Sequence, residues 1–442
     1  MLDKPVLLLG EICVDFTLST PMSSAKMRLG GVVHAARGLW ALNVPYSVAA
    51  ICPDYLVSEA EAYLYAHGCT NFIQVGTVLG APNVFLIGDA REVGHQGYEN
   101  ILREAKKVLT FDLDEKLRGF KNIVVYPGTF DFEGIVKNLD SDAKITVDIA
   151  YDVNDADELS RVYGASHALA ISTSSELFSS LALENLGPLL KACKTRSAKH
   201  LLLKENRGGS RLFDLESGES WEIPATLART VNSVGVGDVY TAVFAALIDH
   251  GALTAALRGM QAATRYAQTT FPDDFKRDVQ RDFKLTPDEV LSLGGVLLPW
   301  HDRPHFEIYL AAPDFSYMEK AEVDAAVEAL LYHNFTVRRP VQDNGEACPG
   351  TPAEDLRSYY DRDVELLRRC SLVFAVPLNR DPGTLVEIGL AIAAGTPVVT
   401  YDPRQENNNT MVICGSDAYS DDLDQCLNST FELLAKLREQ AK

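Results

Sequence analysis

Short apolar runs alternate with stretches of helical periodicity along residues 1–295. This alternation is typical of βαβ units, which build a mostly parallel sheet. We therefore predict an α/β fold for this part of the chain. The predicted strands cover residues 5–10, 46–52, 122–128, 145–150, 167–172 and 200–205.

Four other segments of residues 1–295 have patterns of their own: two glycine-rich turns that precede helices, one hairpin and one further helix. Residues 26–42 are predicted as a Gly-Gly turn that opens a helix, and residues 84–93 as a hairpin that extends away from the main sheet. Near residue 232 a second glycine-rich turn precedes a long apolar helix, and a further helix is predicted over residues 254–268. Glycines at these positions allow tight turns before each helix.

The composition changes after residue 270, where a charged stretch and a short capped helix follow. Thr286 and Glu289 have the spacing of a capping box. A second alternating series begins at Phe306, so we predict two domains, residues 1–298 and 306–442, joined by a linker at 299–305. The second domain is another βαβ series, with helices predicted at 319–333 and 354–369.

Charge and cysteine content restrict the function. The 442 residues carry a formal charge of −20, which argues against nucleic acid or an anionic membrane as the main partner. No apolar run reaches ~18 residues, so no membrane span is expected. Eight cysteines without a CxxC pair favour the reducing cytoplasm. His301 and His305 flank Pro304, and we expect no metal site.

The stretch from Asp381 to Val399 has the pattern of a loop, a helix and a buried strand. The helix is predicted to start near Gly383–Thr384, and its apolar face includes Ile392. Glu387 is then expected in the first turn, where the helix dipole would keep its carboxylate ionised. An ionised carboxylate can attack an electrophilic carbon; the alternative is an ordinary acidic helix N-terminus.

The sequence GVGD at 235–238 also suggests chemistry. Two glycines before a helix let backbone N–H groups approach a phosphate, and a carboxylate in the same turn can accept the proton of an attacking hydroxyl. The same glycines would also serve a tight strand-to-helix turn.

With GEICVDF near the start, LGG at 29–31 and NSVGVGDVY at 232–240, the N-terminal domain resembles the ribokinase (PfkB) family of sugar and nucleoside kinases. The resemblance implies a ribokinase-like fold with a small β lid, formed near residues 17–30 and 84–93. It also implies ATP and Mg²⁺ as cofactors. Asp238 would be the catalytic base, and Gly235 and Gly237 would form the anion hole.

The same resemblance assigns the remaining kinase groups. Asp15, Gly30 and Gly31 would bind the sugar, and Glu176 would help to place metal and phosphate. Several positions depart from the family pattern, including His34–Ala35, Asn232 and the segment Lys204–Asn206. Two readings stay open: an active sugar or nucleoside kinase, and a scaffold that binds a ligand without transferring phosphate.

The C-terminal domain resembles nucleoside 2-deoxyribosyltransferases. The resemblance rests on IYLAAPDF (308–315), YYDRDVELLRRCSLVFAVP (359–377), DPGTLVEIGLA (381–391) and NNTMV (408–412). It implies a flavodoxin- or Rossmann-like fold that needs no cofactor. Breaking an N-glycosidic bond passes through an oxocarbenium-like state, which calls for a carboxylate nucleophile and an acid for the departing base.

By this resemblance Glu387 is the nucleophile and Tyr309 the tyrosine that orients it. Asp363 is the candidate proton donor. Asp381 and Asn409 would lie near the 5′ end of the sugar, and Met411 would pack beside the site. Each could instead have an ordinary structural role when considered alone.

The sequence therefore predicts a nucleoside-processing enzyme that cleaves or exchanges an N-glycosidic bond, fused to a kinase-like domain. Its substrate would be a small nucleoside or sugar. The resembled family completes its site with the Asn-x-Met segment of a neighbouring subunit, which implies a homo-oligomer. The alternatives are a nucleoside 5′-monophosphate N-hydrolase and a nucleotide-sensing protein.

Overall fold

The computed structural model describes residues 5–20, 24–97, 99–100, 105–113, 115–150, 153–163, 166–194, 198–347 and 350–441. The chain forms two compact units, one that ends at Leu297 and one that begins at Leu298. Two short segments, Glu92–His95 and Leu227–Arg229, group with the second unit.

The N-terminal unit is built on one mixed sheet, with thirteen strands among the described residues. Their bounds are β1 Val6–Thr17, β2 Lys26–Gly31, β3 Tyr46–Ile51, β4 Cys69–Leu79, β5 Val84–Ile87, β6 Glu99–Asn100, β7 Lys107–Thr110, β8 Asn122–Val125, β9 Lys144–Ile149, β10 Ala168–Ser172, β11 His200–Lys204, β12 Ser210–Asp214 and β13 Ser220–Ile223.

The inner strands of this sheet are parallel, as the sequence predicted. Ten of the strands follow the order β13-β12-β11-β10-β9-β8-β1-β3-β4-β7, and along this path the antiparallel pairs lie toward the two ends; β2, β5 and β6 lie off the path. The long strand β1 has two roles. Its first half pairs with β3 and β8, and its second half pairs with β2 and β5. The small layer of β2, β5 and β6 thus grows from the centre of the main sheet.

Helices cover this sheet and enclose its apolar side chains. Two groups of buried side chains form the core, one around α1 and β1 and the other around α7 and α8. The helices are α1 Val32–Ala41, α2 Val57–Ala66, α3 Phe132–Val136, α4 Ala156–Tyr163, α5 Glu176–Leu181, α6 Gly187–Lys194, α7 Val236–Leu247, α8 Ala252–Ala267, α9 Pro272–Asp282 and α10 Pro287–Ser292.

Two local predictions were correct only in part, since a helix does begin directly after Gly31 as predicted. The Gly-Gly segment is not a free turn, because Lys26–Gly31 forms a strand that pairs antiparallel with β1 and leads directly into α1. Residues 84–93 do not form a hairpin by themselves. Val84–Ile87 pairs parallel with β1, and its antiparallel partner is Glu99–Asn100. In both cases the strand partner is distant in sequence, so local periodicity does not reveal it.

The C-terminal unit contains a five-stranded sheet in which every pair is parallel, in the order β15-β14-β16-β17-β18. This confirms the second βαβ series. Its elements are β14 Glu307–Ala311, α11 Ala321–Tyr332, β15 Thr336–Arg338, α12 Pro340–Asn344, α13 Ala353–Arg369, β16 Leu372–Ala375, α14 Pro382–Ala394, β17 Val398–Tyr401, α15 Thr410–Ile413, β18 Ala418–Ser420 and α16 Leu423–Gln440.

Helix α14 includes Glu387, the residue that the sequence predicts as the nucleophile. Asp381 is its N-cap and Pro382 its first residue, and Gly395 ends it in the left-handed conformation with φ 74°. Ile388 and Ala391 are buried, whereas Ile392 is exposed, so the predicted apolar face is narrower than expected. Within the described ranges, no helix is long and apolar enough to cross a bilayer.

Candidate functional site

A partly buried hydrogen bond joins β14 to α14 in the C-terminal unit. The Tyr309 hydroxyl donates to Glu387 Oε1 over 2.6 Å, and Tyr309 is fully buried in the middle of β14. The two residues are 78 positions apart in sequence, so only the fold brings them together. The hydrogen bond fixes one carboxyl oxygen and leaves Oε2 for a reacting group.

Glu387 is not the ionised first-turn carboxylate that the sequence predicted. The helix begins at Pro382, which places Glu387 in the second turn, beyond the strongest influence of the helix dipole. Burial, together with the negative charges of Asp363 and Asp381, raises the pKa of Glu387 to about 8, although the Tyr309 hydrogen bond favours the ionised form. Burial thus favours the protonated form of Glu387 at a higher pH than is usual for a glutamate.

Asp363 on α13 belongs to the same cluster. Asn344 Nδ2 donates to its Oδ1 over 2.7 Å, and the side chain is half-buried. Burial raises the pKa of Asp363, while Asn344 and Arg362 oppose that rise. Because the charge of Asp363 also raises the pKa of Glu387, the two carboxyls are close enough to compete for protons.

Asp381, Asn409 and Met411 are positioned by helix starts. Asp381 Oδ2 accepts from the backbone N–H and the hydroxyl of Thr384, at 2.7 and 2.9 Å, so one carboxylate oxygen caps α14. Asn409 Oδ1 accepts from Met411 N over 2.9 Å and caps α15. Met411 is 76% exposed, which shows that it is not a core residue of this chain.

Sequence reasoning missed Asp402, which organises the loop before Asn409. Its buried carboxylate accepts hydrogen bonds from the Tyr419 hydroxyl, from Asn407 and from the backbone N–H of Glu406. Burial alone would raise the pKa of Asp402, but these donors outweigh it and lower that pKa. The asparagine run at 407–409 was the available signal for a loop held in place by side-chain hydrogen bonds.

In the N-terminal unit, the glycine-rich turn has the geometry that an anion-binding helix start requires. Gly235 is the N-cap of α7 with φ 81°, and Gly237 and Asp238 lie in the first turn. Burial and the neighbouring Asp148 raise the pKa of Asp238 to about 7, while Lys204 opposes the rise. A carboxyl with that pKa is suited to take up a proton near neutral pH.

Lys204 lies beside this turn, at a position that the sequence identified only as a departure from a family pattern. Its Nζ is 2.7 and 2.8 Å from the two carboxylate oxygens of Asp148, which is almost fully buried. Nζ also reaches Thr241 Oγ1 at 3.3 Å and the carbonyl of Gly237 at 3.4 Å. A fixed ammonium group therefore lies beside the start of α7.

Two of the predicted sugar-binding residues, Asp15 and Gly30, lie next to each other in the structure. The Asp15 carboxylate, however, is already hydrogen-bonded to His34. His34 Nε2 is 2.7 Å from Asp15 Oδ2, and both side chains are buried. Burial lowers the pKa of His34 to about 4, so the ring is neutral and donates to Asp15. A Cβ on Gly235 would lie 2.1 Å from His34 Cγ, and one on Gly30 would lie 2.2 Å from Asp15 Oδ1. Side chains thus crowd the space around Asp15.

Two further residues were predicted for the kinase site, Gly31 and Glu176. Gly31 has φ 63°, and a Cβ there would meet the carbonyl oxygen of Glu11 at 2.1 Å. Glu176 is exposed at the first position of α5, after its N-cap Ser175. Across the part of the chain that the structure describes, no group of three or more His, Cys, Asp or Glu residues could hold a metal ion.

Comparison with sequence families matches residues 308–437 to the nucleoside 2-deoxyribosyltransferase family. This confirms the resemblance predicted for the C-terminal domain. A comparison with curated proteins gave no match.

Ribokinases and nucleoside kinases are among the solved structures that match the chain. An apo structure of a ribokinase II homologue from E. coli is 14% identical, covers 63% of this chain and 100% of that one, and has a TM-score of 0.49. The Methanocaldococcus jannaschii nucleoside kinase is 14% identical over 63% and 98%, with a TM-score of 0.43. The Burkholderia thailandensis nucleoside kinase in complex with inosine is 14% identical over 63% and 97%, with a TM-score of 0.46.

Because the pKa of Glu387 is raised in the folded state, we predict that the free energy of unfolding decreases as pH rises. Between pH 4.5, its ordinary pKa, and about 8, the folded state keeps a proton that the unfolded state has released. The contribution of this group to the free energy of unfolding therefore falls as pH rises through that window, by an amount on the order of a few kcal/mol.

Glu387→Gln removes this titration and keeps an oxygen that can accept from Tyr309. We expect the variant to unfold at a higher temperature than wild type, with a larger difference at pH 8 than at pH 5. Calorimetric scans at both values measure the difference, and Glu432→Gln, at an exposed position on α16, serves as control. An equal difference at the two pH values would contradict the assignment.

Proposed function

We propose that the C-terminal domain cleaves or exchanges the N-glycosidic bond of a 2′-deoxynucleoside through a covalent intermediate on Glu387. The observation that carries the proposal is the partly buried Tyr309–Glu387 hydrogen bond, with the Asp363 carboxyl close enough to shift the pKa of Glu387. The match of residues 308–437 to the nucleoside 2-deoxyribosyltransferase family supports the same reaction class.

Two carboxyls are what this reaction requires. Glu387 attacks C1′ of the sugar, a C1′–O bond forms, and the C1′–N bond to the base breaks. Asp363 supplies the proton that the departing base needs. Water or a second base then attacks C1′ and releases Glu387. Hydrolysis and base exchange differ only in this acceptor.

The reactive form needs Glu387 ionised and Asp363 protonated. Burial raises the pKa of both carboxyls, that of Glu387 to about 8, so each holds a proton to a higher pH than an exposed carboxyl does. The Tyr309 hydroxyl stabilises the ionised form of Glu387 by hydrogen bonding, which favours placing the negative charge on Glu387 and the proton on Asp363.

Asp381 favours nucleosides over their 5′-monophosphates. Its Oδ2 caps α14, and its remaining oxygen can accept a hydrogen bond from a free 5′-hydroxyl. A phosphate at the same place would face a carboxylate. Two unit charges ~4 Å apart at an effective dielectric of ~20 oppose each other by about 4 kcal/mol, and screening reduces that value.

A homo-oligomer forms part of the proposal. Met411 is 76% exposed on α15, and Val386 on α14 is 57% exposed, so apolar groups beside the site lie on the surface of the single chain. Burying them against a second copy would remove that apolar area from water and close the site.

For the N-terminal unit we propose ligand binding without phosphoryl transfer. The turn with Gly235 fits an ATP phosphate at a helix N-terminus, and Asp238 has a pKa suited to a base. The part of the site predicted to bind a sugar does not have a free carboxylate for a sugar hydroxyl. Asp15 is paired with His34, and the imidazole ring of His34 packs against Gly235. An incoming hydroxyl would have to displace that buried pair.

The first test of the proposed function is Glu387→Ala. We expect loss of at least about 10³-fold in kcat for base release from deoxynucleosides, because the variant lacks the carboxylate that would form the bond to C1′. Mass spectrometry of nucleoside panels with and without acceptor bases measures the products. The Glu432→Ala variant should turn over normally, and near-normal turnover by folded Glu387→Ala would disprove the role.

The second test is Asp381→Ser. Wild type should use a deoxynucleoside at least about tenfold better than its 5′-monophosphate in kcat/KM, the factor that ~1.4 kcal/mol gives. The variant should shift this ratio toward the monophosphate because it removes a charge and keeps a hydroxyl for the cap. A wild-type preference for the monophosphate would instead indicate an N-hydrolase.

The third test concerns ATP. With Mg²⁺ and a panel of sugars and nucleosides, we expect no ADP above background from wild type, and base release that Asp238→Asn leaves unchanged. ADP formation that Asp238→Asn abolishes, while the surface variant Asp142→Asn retains it, would establish an active kinase.

A further inference from the structure

A cavity of about 200 Å³ lies in the N-terminal unit, between the helices α1, α2, α8 and α9. None of its lining residues belongs to the glycine-rich turn at 235–238, and Asp15 is not among them. The lining consists of Arg28, Arg37, Tyr63, Tyr266, Thr269, Thr270, Phe271, Pro272 and Phe275.

This cavity wall is cationic in a strongly acidic protein. It includes two guanidinium groups and no carboxylate, whereas the whole chain carries a formal charge of −20. Arginine is the side chain whose planar fork matches phosphate and carboxylate oxygens. A positively charged cavity wall, in a protein whose net charge is negative, favours the binding of an anion over that of a neutral molecule.

Arg28 has hydrogen-bonding capacity left. Its NH2 group donates to Asn232 Oδ1 and to the carbonyl of Val234, both at 2.8 Å. Its Nε is buried and makes no hydrogen bond within the described chain; Asp15 Oδ2 lies 3.7 Å away. Nε therefore faces the Asp15 carboxylate, and the NH1 group, which makes no hydrogen bond within the described residues, is the nitrogen of Arg28 left to donate to a ligand.

Arg37 is held rigidly in place. Its Nε donates to the Tyr63 hydroxyl over 2.7 Å, its NH1 donates to the Tyr266 hydroxyl over 3.1 Å, and its NH2 donates to the carbonyl of Leu29 over 3.0 Å. Because the Tyr63 oxygen accepts from Arg37, its own hydrogen can be donated to another acceptor. The polar part of the wall therefore presents donors to its contents.

The other side of the cavity is apolar. Phe275 is buried at its wall, and Phe271, the N-cap residue of α9, is 68% exposed. An apolar wall facing a donor-rich wall suits a ligand with a carbon skeleton at one end and an oxyanion at the other.

We propose that this cavity is a binding site for a small organic phosphate, such as a phosphorylated pentose. The site is separate from the groups that would perform phosphoryl transfer, and it does not depend on the glycosyl chemistry of the C-terminal domain. Arg37 and Tyr266 also contact His34 Nδ1, at 3.2 and 2.7 Å, so the ligand would lie one hydrogen-bonded residue away from the Asp15–His34 pair.

Isothermal titration calorimetry on the full chain tests the site with three probes: ribose 5-phosphate, inorganic phosphate and uncharged ribose. We expect ribose 5-phosphate to bind and ribose not to bind. If inorganic phosphate binds as tightly as the ester, the oxyanion alone carries the affinity and free phosphate is an equivalent source. The same affinity for ribose and its phosphate would overturn the proposal, as would no binding of any probe up to about 10 mM.

Two variants locate the binding. Arg28→Gln removes a donor, and Thr270→Asp adds a carboxylate to the lining without touching the Arg28 contacts. Each should weaken ribose 5-phosphate at least tenfold, and Arg118→Gln, a surface control in the same unit, should leave affinity unchanged. Unliganded thermal scans check folding, and unaltered affinity in folded Thr270→Asp would refute the assignment of the site.

Discussion

The C-terminal site depends on one partly buried hydrogen bond between a strand and a helix. Tyr309 is fixed inside β14, and its hydroxyl holds Glu387 on α14 at 2.6 Å. The surrounding apolar core removes water from the carboxyl, which makes its charged form expensive. The same packing therefore orients the carboxyl that we propose as the nucleophile and disfavours its ionised form. Such a conflict between stability and reactivity is typical of active sites.

The N-terminal unit shows a different solution to buried charge. Asp15 accepts a hydrogen bond from the neutral His34 ring and has Arg28 Nε 3.7 Å away, whereas Asp148 forms an ion pair with Lys204. In a pre-organised active site these carboxylates would keep free oxygens for a ligand. Here their oxygens already have donors, which is why we propose ligand binding without phosphoryl transfer for this unit.

Local sequence signals predicted the elements well. The Thr286–Glu289 capping box is present, and α14 begins at Pro382, one residue before the predicted start near Gly383–Thr384, because caps depend on neighbours within one turn. The identity of Glu387 and Tyr309 as a pair came from motif order, since their contact spans 78 positions. The raised pKa of Glu387 could not be predicted in this way, because it arises from burial that only the packed fold creates.

Strand β1 runs without a break from the main sheet into the small layer, and Asp15 lies on its second half. Residues 14–17 pair on one side with β2 and on the other with β5. A hinge between the layer and the sheet would have to bend this strand, because no loop separates the two parts. The small layer is therefore mechanically coupled to the main sheet and cannot move as an independent body. Any widening of the space around Asp15 must strain the backbone of β1, which also forms the centre of the main sheet.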